Sequence, residues 1–255
     1  MKKLLGRLFN FTLFRYLDLR LYYYKKKNKK ELKLFIYTDS RGHEITKKRN
    51  KNNPFSSHVS YFIKKYCCEV HLNPEKPSTI IDFLETYNNS SKDFDFVIAH
   101  IGVVDFASRF HSQAIDIIKE RKEKYLNFIT QEEYDDLVQF EGYSTLFEGK
   151  KTSAITPDFM IDSLVTEINK IPSLIWISCN DIDLKWRGNY KRDRPLNSDI
   201  ILSKSKYLID KLETKKIINL TNFKQKEIHS FTCDNVHFSE KGMDMLEKEL
   251  KLIIE

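Results

Sequence analysis

At 255 residues the chain has room for one α/β domain, or one domain carrying a substantial insertion. A hydrophobic fraction of 41% with 13% aromatics supplies a real core and excludes a disordered chain, while only 7 Gly and 6 Pro count against a loop-rich all-β fold. The 43 Lys and Arg against 36 Asp and Glu leave a net charge of +7, much of it early, in YYYKKKNKK (22–30) and KKRNKNN (47–53); this reads as a lysine-rich solvated surface or as attraction to anionic lipid or acidic glycan, and no nucleic-acid module accompanies it.

The first 24 residues begin like a secretory leader, but Arg7, Arg15, Asp18 and Arg20 interrupt every apolar run and no small-residue cleavage site follows. The longest uncharged stretch, 8–14, is far short of the ~18–20 residues that span a bilayer. Leu4, Leu5, Leu8, Phe9, Phe11 and Phe14 can share one helical face with Lys2, Lys3, Arg7 and Arg15 outside it. Two readings follow: a helix lying on a membrane surface or partner through residues 1–24, or a terminal helix packed on the domain's own sheet.

Five short apolar runs come next: LKLFIYT (32–38), YCCEVHL (66–72), FDFVIAHIG (94–102), PSLIWIS (172–178) and KKIINLT (215–221). Each has the length and β-rich composition of a strand buried on both faces. Helical patterns lie between them at 55–66, 158–171 and 202–215, and a last helix over 239–253 has Ser239 as its N-cap. The alternation predicts an α/β, doubly wound (flavodoxin-like) five-stranded parallel sheet with flanking helices. Residues 107–157 break the rhythm and predict a helical insertion between strands three and four. The expected organisation is a basic amphipathic segment over 1–30 and a single domain over 31–255.

Cys67, Cys68, Cys179 and Cys233 are too few and too scattered for a disulfide framework, and none has the C-x-x-C spacing of a zinc site. A reduced, cytoplasmic protein is expected, with peripheral contact at the inner face of the membrane as the variant that the amphipathic segment suggests. With no G-x-G-x-x-G and no Walker-type G-K-[ST], a nucleotide cofactor has no support; no metal and no other cofactor is expected.

In an open parallel sheet, sites form beyond the carboxyl ends of the strands. Ser40 follows strand one directly, and Asp39–Ser40 alone is compatible with a turn or cap. At the other end of the chain, Asp234 and His237 stand three apart just before the last helix. A serine on the first loop and an Asp/His pair on the last compose a Ser–His–Asp set, each member at a strand end.

TDS (38–40), GVVD (102–105) and DNVH (234–237) resemble, in order and placement, the motifs of the SGNH (GDSL-like) hydrolase family: G-D-S after strand one, G-x-N-D after strand three and D-x-x-H before the last helix. The likeness covers roughly residues 32–105 and 172–250. It implies that Ser40 attacks an acyl-type centre, that His237 takes and returns its proton, and that Asp234 orients the imidazole. HIGVVDFASR (100–109) is similar to a divergent SGNH-like group among bacterial surface-polysaccharide proteins with an H-x-G-x-x-D-x-x-x-R arrangement, which places His100, Gly102, Asp105 and Arg109 in the site region. Thr38 departs from the family's glycine. Val104 stands in place of the asparagine whose amide donates to the oxyanion, and HLNPEKPST (71–79) holds no second-motif glycine. Substitute donors are the Ser40 backbone N–H, a backbone N–H at Asn73 or near Ser78, and the guanidinium of Arg41 or Arg109. Asn180 and Asp181 line the pocket or make a turn. Trp186, Arg187, Tyr190, Arg192 and Arg194 give their loop a character suited to sugars or anionic groups, or to plain solvation.

The function implied is a serine-dependent ester hydrolase or O-acyltransferase acting on an acyl group of a carbohydrate, a surface glycan or its precursor. The acyl-enzyme is common to both reactions, so the acceptor decides between them. The competing reading is a catalytically weakened SGNH-like glycan-binding or assembly component of polysaccharide biosynthesis; phosphoryl or other non-acyl transfer comes third.

Overall fold

A computed structural model of the chain describes residues 2–47, 50, 52–139, 145–186, 188, 198–214 and 216–255, with residues 2–10 and 198 as backbone alone. A long helix, α1 (Lys2–Lys27), leads into β1 (Lys33–Thr38); α2 (Ser60–Lys65), β2 (Cys67–Leu72), α3 (Ile80–Asn88) and β3 (Phe96–His100) follow. After the insertion come α8 (Asp158–Asn169), β7 (Leu174–Ile177), α9 (Ser198–Lys211), β8 (Ile217–Ile218), α10 (Gln225–Phe231) and α11 (Glu240–Ile254). All five apolar runs of the sequence are strands of one parallel sheet, in the order β2-β1-β3-β7-β8. Numbered by chain position within the sheet this is 2-1-3-4-5, the flavodoxin-like order, and its direction reverses between β1 and β3.

The sheet is covered on both faces because its strands alternate apolar side chains between two layers. Phe35, Tyr37, Val97, Ala99, Leu174 and Trp176 face a core shared with α3, α8 and α9. Leu34, Ile36, Ile98, Ile175 and Ile177 face a second core with α2 and α11. Each large aliphatic side chain so buried contributes ~1.5–3 kcal/mol. α11 begins at Ser239, whose hydroxyl accepts from the Gly242 N–H at 3.3 Å, as its sequence predicts. α3 has no counterpart among the predicted helices, although T-I-I-D carries its signal. Thr79 and Asp82 form a reciprocal capping box.

After α4 (Val103–Phe106) and β4 (Arg109–Phe110), the insertion is helical through α5 (His111–Glu120), α6 (Lys122–Leu126) and α7 (Gln131–Gln139). It then closes as a hairpin, β5 (Thr145–Phe147) and β6 (Lys150–Ser153), and β4 joins it in a three-stranded antiparallel sheet that the helical prediction does not contain. Glu148 (φ 49°) and Gly149 (φ 75°) make the two-residue turn, both in the left-handed region that such tight hairpins need.

Beneath the carboxyl end of β1, His58 and His100 are fully buried with ring centroids 5.0 Å apart, and their ring nitrogens have no hydrogen-bond partner among the described residues. Burial, followed by the nearby Arg41 charge, pushes His58 down to about 3 and His100 well below its ordinary value. The unfolded chain protonates such histidines near the ordinary 6.5 while the buried rings stay neutral. Their contribution to stability is therefore complete above that pH and is lost as pH falls, by up to ~1.4 kcal/mol per unit for each ring. Asp105, buried and raised to about 7, acts in the opposite sense over part of this range. We expect His58→Phe, which leaves Asp105 in place, to lose less stability than wild type between about pH 7 and about pH 5, measured as urea midpoints. Parallel curves for the two proteins would refute this assignment.

Candidate active site

The site is assembled at the carboxyl ends of the strands, beside the point where the strand order reverses. β1 runs into a single tight turn, Ser40–Gly42, capped by Asp39, whose carboxylate accepts from the Arg41 N–H at 2.9 Å. Asp39 is itself held by its N–H, which donates to the His100 carbonyl at 2.9 Å. The turn leaves Ser40 partly exposed, with its Oγ 3.0 Å from His237 Nε2.

His237 comes from the loop between α10 and α11. His237 Nδ1 lies 2.8 Å from Asp234 Oδ2, while the other oxygen of Asp234 accepts the backbone N–H groups of Val236 (3.0 Å) and His237 (2.6 Å). One carboxylate thus orients both the ring and the backbone that carries it. Because Nδ1 faces a carboxylate it carries the ring proton, which leaves Nε2 as the acceptor for the Ser40 hydroxyl. This arrangement can take a proton from Ser40 as its oxygen forms a bond and hold the resulting imidazolium beside Asp234. The structure therefore brings together Ser40, His237 and Asp234, separated by up to 197 positions in the chain.

Two further groups hold the histidine loop: Asn180, for which the sequence allows a pocket or a turn role, and Asn235, which it does not single out. Asn180, after β7, is buried and donates to the Asn235 carbonyl at 2.7 Å. Asn235 sits at φ 74°, a left-handed conformation that asparagine tolerates better than most residues. Its side chain accepts from the Asp183 N–H (2.9 Å) and donates to the carbonyls of Asp183 (2.9 Å) and Trp186 (2.5 Å). The strand-four loop is thereby laced to the loop of Asp234 and His237. Gly188 completes the contact: at φ 63° its backbone passes so close that a Cβ would stand 2.2 Å from the Cys233 carbonyl. Arg187, Tyr190, Arg192 and Arg194 of this loop lie outside the described residues. The signal that could have singled out Asn235 is the Asn within D-N-V-H.

The contacts of the remaining candidates place each of them, and they remove two of the expected oxyanion donors. Arg41 is fully buried, and its guanidinium forks onto Asp39, with Nε 3.0 and 3.1 Å and one terminal nitrogen 2.9 Å from the carboxylate. Its other terminal nitrogen donates to the Ser178 carbonyl at 3.2 Å. Burial opposes the charge, yet Asp39 keeps the group protonated above its ordinary range. These donors are committed to the interior, which corrects the expectation of an oxyanion donor at Arg41. The Asn73 N–H is also committed, to the Thr38 carbonyl at 2.7 Å. Asp105 is buried and accepts from the Ile80 N–H (3.0 Å) and the Thr156 hydroxyl (3.1 Å), so it joins α3, α4 and the start of α8. Arg109 donates to the Val104 carbonyl at 2.8 Å, and burial lowers its pKa. His100 lies under the Ser40 turn against Phe238, and Gly102, at φ 114°, opens α4. Cys233 is packed, its thiol pushed up by burial to about 12.

The carboxylates of Glu75, Asp82 and Glu85 come together in space, the one acidic group of metal-binding size among the described residues. Lys124 places its ammonium 2.6, 2.8 and 3.0 Å from the three, and Arg121 reaches Asp82 at 3.3 Å. Against the effect of burial, these cations hold the Asp82 carboxyl below its usual range. The chain's own lysine thus meets the charge requirement of the cluster. A cavity of about 340 Å³ against α11, lined by Phe231, Lys241, Asp244, Met245, Lys248 and Glu249, lies outside the serine–histidine constellation.

No family model matches the chain, and no curated protein matches it either. Among solved structures it is similar to a Streptococcus pneumonia protein provisionally described as a platelet activating factor (12% identity, TM-score 0.43, covering 99% of each chain). It is also similar to a mutant of Axe2, an acetyl-xylooligosaccharide esterase from Geobacillus Stearmophilus (14%, 0.41, 88% of this chain and 94% of that one). A third is LAE5, an alpha/beta hydrolase enzyme from the metagenome of Lake Arreo, Spain (12%, 0.39, 87% and 94%). Likeness at this level bears on neither the chemistry nor the substrate of this chain. Among the described residues, no helix is long and apolar enough to cross a membrane.

Two substitutions separate the roles of the supporting groups. Arg41→Met leaves the Asp39 carboxylate buried without its partner and is expected to cost ~3–5 kcal/mol in denaturant titrations; a cost below ~1 kcal/mol would mean that the pair does not hold the turn. Asn235→Ala removes three hydrogen bonds and leaves a strained backbone. It should cost ~2–4 kcal/mol, read by thermal unfolding; a cost below ~1 kcal/mol would mean that Asn235 does not hold the loop.

Proposed function

We propose that the chain is a serine-dependent ester hydrolase or O-acyltransferase of the SGNH type, acting on an acyl group carried by a carbohydrate. The observation that carries this reading is the continuous relay from Ser40 Oγ through the His237 ring to Asp234, with contacts of 3.0 and 2.8 Å. A packing or binding role gains nothing from the three residue types in that order, whereas serine-dependent acyl transfer has a use for each of them.

In the proposed reaction Ser40 Oγ attacks the ester carbonyl carbon while its proton passes to His237 Nε2, and Asp234 stabilises the imidazolium. Collapse of the tetrahedral adduct breaks the bond to the leaving oxygen, which takes the proton back from His237. The acyl group then sits on Ser40. Water or an acceptor hydroxyl attacks it in turn, giving its proton to His237 and restoring the serine. For the oxyanion, the Ser40 backbone N–H is available, since no acceptor engages it among the described residues. The carbohydrate part of the proposal rests on the sequence resemblance and on Trp186, whose loop is tied to the histidine loop through Asn235.

A second reading has one observation in its favour. Val104 offers no amide, Asn73 N–H is used by Thr38, and Arg41 is bound to Asp39, so the donors that would steady an oxyanion are few. Loss of one such donor costs ~10²–10³ in rate. A glycan-binding or assembly component that retains the relay would show this pattern.

Labelling with a fluorophosphonate serine probe separates the two. Folded wild type is expected to label, and Ser40→Ala and His237→Ala, checked for fold by circular dichroism, are expected not to. Ester turnover in either variant should fall by ~10⁴-fold or more. A folded wild type that never labels would sink the acyl-transfer reading and leave the binding component.

A further inference from the structure

The chain's excess of positive charge is concentrated in one place. Residues 1–30 contain ten Lys and Arg and a single acid, Asp18, whereas the remaining 225 residues hold 33 basic against 35 acidic side chains. The domain is close to neutral, and nearly all of these 30 residues belong to α1.

α1 is fastened to the domain from Leu17 onward. Leu17 is buried, Leu21 and Tyr24 pack on the core under α2, and Arg20 lies 3.8 Å over the Phe55 ring. Just past the helix, the Asn28 amide donates to the carbonyls of Lys64 and Tyr66 at 3.0 and 3.1 Å. These groups recur at helical spacing and define one face. The opposite face carries Phe11, Arg15, Leu19, Tyr22, Tyr23 and Lys26. On it Phe11, Leu19, Tyr22 and Tyr23 are 58–68% exposed; with Phe14 and Tyr16, this helix holds six of the twelve large apolar side chains exposed among the described residues. Arg15 and Lys26 lie over the rings of Phe11 and Tyr22, so cations and apolar groups are interleaved.

We infer that the outward face of α1 is a docking surface for an anionic phospholipid bilayer. With its inner face engaged by the domain, the helix turns the outer one away from it. Phenylalanine and leucine insert at the acyl boundary, tyrosine favours the headgroup region, and the long basic side chains reach the phosphates. Charge complementarity selects this occupant. A second copy would set a helix of the same net positive charge, with its own Arg15 and Lys26, face to face with the first, and a neutral bilayer would offer those cations no partner. No helix crosses a membrane in this picture; α1 lies on it.

The test is co-sedimentation of the full chain with vesicles of phosphatidylcholine alone and of phosphatidylcholine mixed with phosphatidylglycerol, at low and high salt. Wild type is expected to pellet with the anionic vesicles only, and to be released by salt. A charge variant (Arg15→Gln, Lys26→Gln, Lys27→Gln) and an apolar variant (Phe11→Ser, Leu19→Ser) should each partition at least about tenfold more weakly. Both should retain wild-type fluorophosphonate labelling as a check on fold; where that label fails for all proteins, circular dichroism serves. The inference is overturned if wild type stays in solution with anionic vesicles, pellets without vesicles through self-association, binds neutral vesicles equally, or if neither variant differs from it.

Discussion

Arg41 and Asp39 meet out of reach of solvent, directly beneath the turn that carries Ser40. Removing two charges from water is costly, and the cost is offset only when the geometry leaves no donor or acceptor idle. Here the guanidinium forks onto the carboxylate and extends to the Ser178 carbonyl, while the carboxylate also takes the Arg41 N–H. The pair therefore fixes the end of β1 to the end of β7. Ser178 carries the linkage on, its hydroxyl accepting from the Leu220 N–H beyond β8 at 2.8 Å. Three strand ends are held in one frame, and the position of Ser40 is referred to that frame.

A second line of polar contacts runs from the same strand end to the histidine. Asn180 holds the Asn235 carbonyl, Asn235 grips the backbone of residues 183 and 186, and Asp234 binds two N–H groups and the ring of His237. The two lines start two residues apart, at Ser178 and Asn180. A shift in β7 would move both sides of the Ser40–His237 contact together, and this preserves the contact better than independent supports would. Thr232 and Phe238 close the loop with a bridge, and the Cys233 N–H meets the His237 carbonyl at 2.8 Å. The loop is thus shaped chiefly by its own backbone and aimed by Asn180.

On the other flank Asp105 does comparable work without facing the relay. It stands at the junction of α3, α4 and the entry to α8, where burial raises its carboxyl to about 7 even though Ile80 and Thr156 donate to it. The insertion is anchored there and again through Lys124 and Arg121, which reach back to Asp82 on α3. Its hairpin pairs with β4, Ser153 opposite Arg109 and Thr152 opposite Phe110. The insertion is in this way joined by ionic and backbone contacts to α3 and α4.

What could be read in the sequence was whatever depends on local periodicity. Five apolar runs of strand length, helices between them and a Ser239 cap follow from neighbours in the chain, and they determine a doubly wound parallel sheet whose loops after the first strand and before the last helix share one edge. Ser40, Asp234 and His237 were legible by their order along the chain at those loops and by the resemblance that this order carries. The tertiary structure decided the partners. Arg41 looks like a site cation until β7 brings Ser178 to it from 137 positions away, and Asp105 looks like a site acid until Ile80 and Thr156 surround it. Asn180 and Asn235, 55 residues apart, meet only because β7 and the final loop end on the same side of the sheet. A buried polar group takes whichever partner the packing supplies, and packing depends on strand order, which no local stretch of sequence contains.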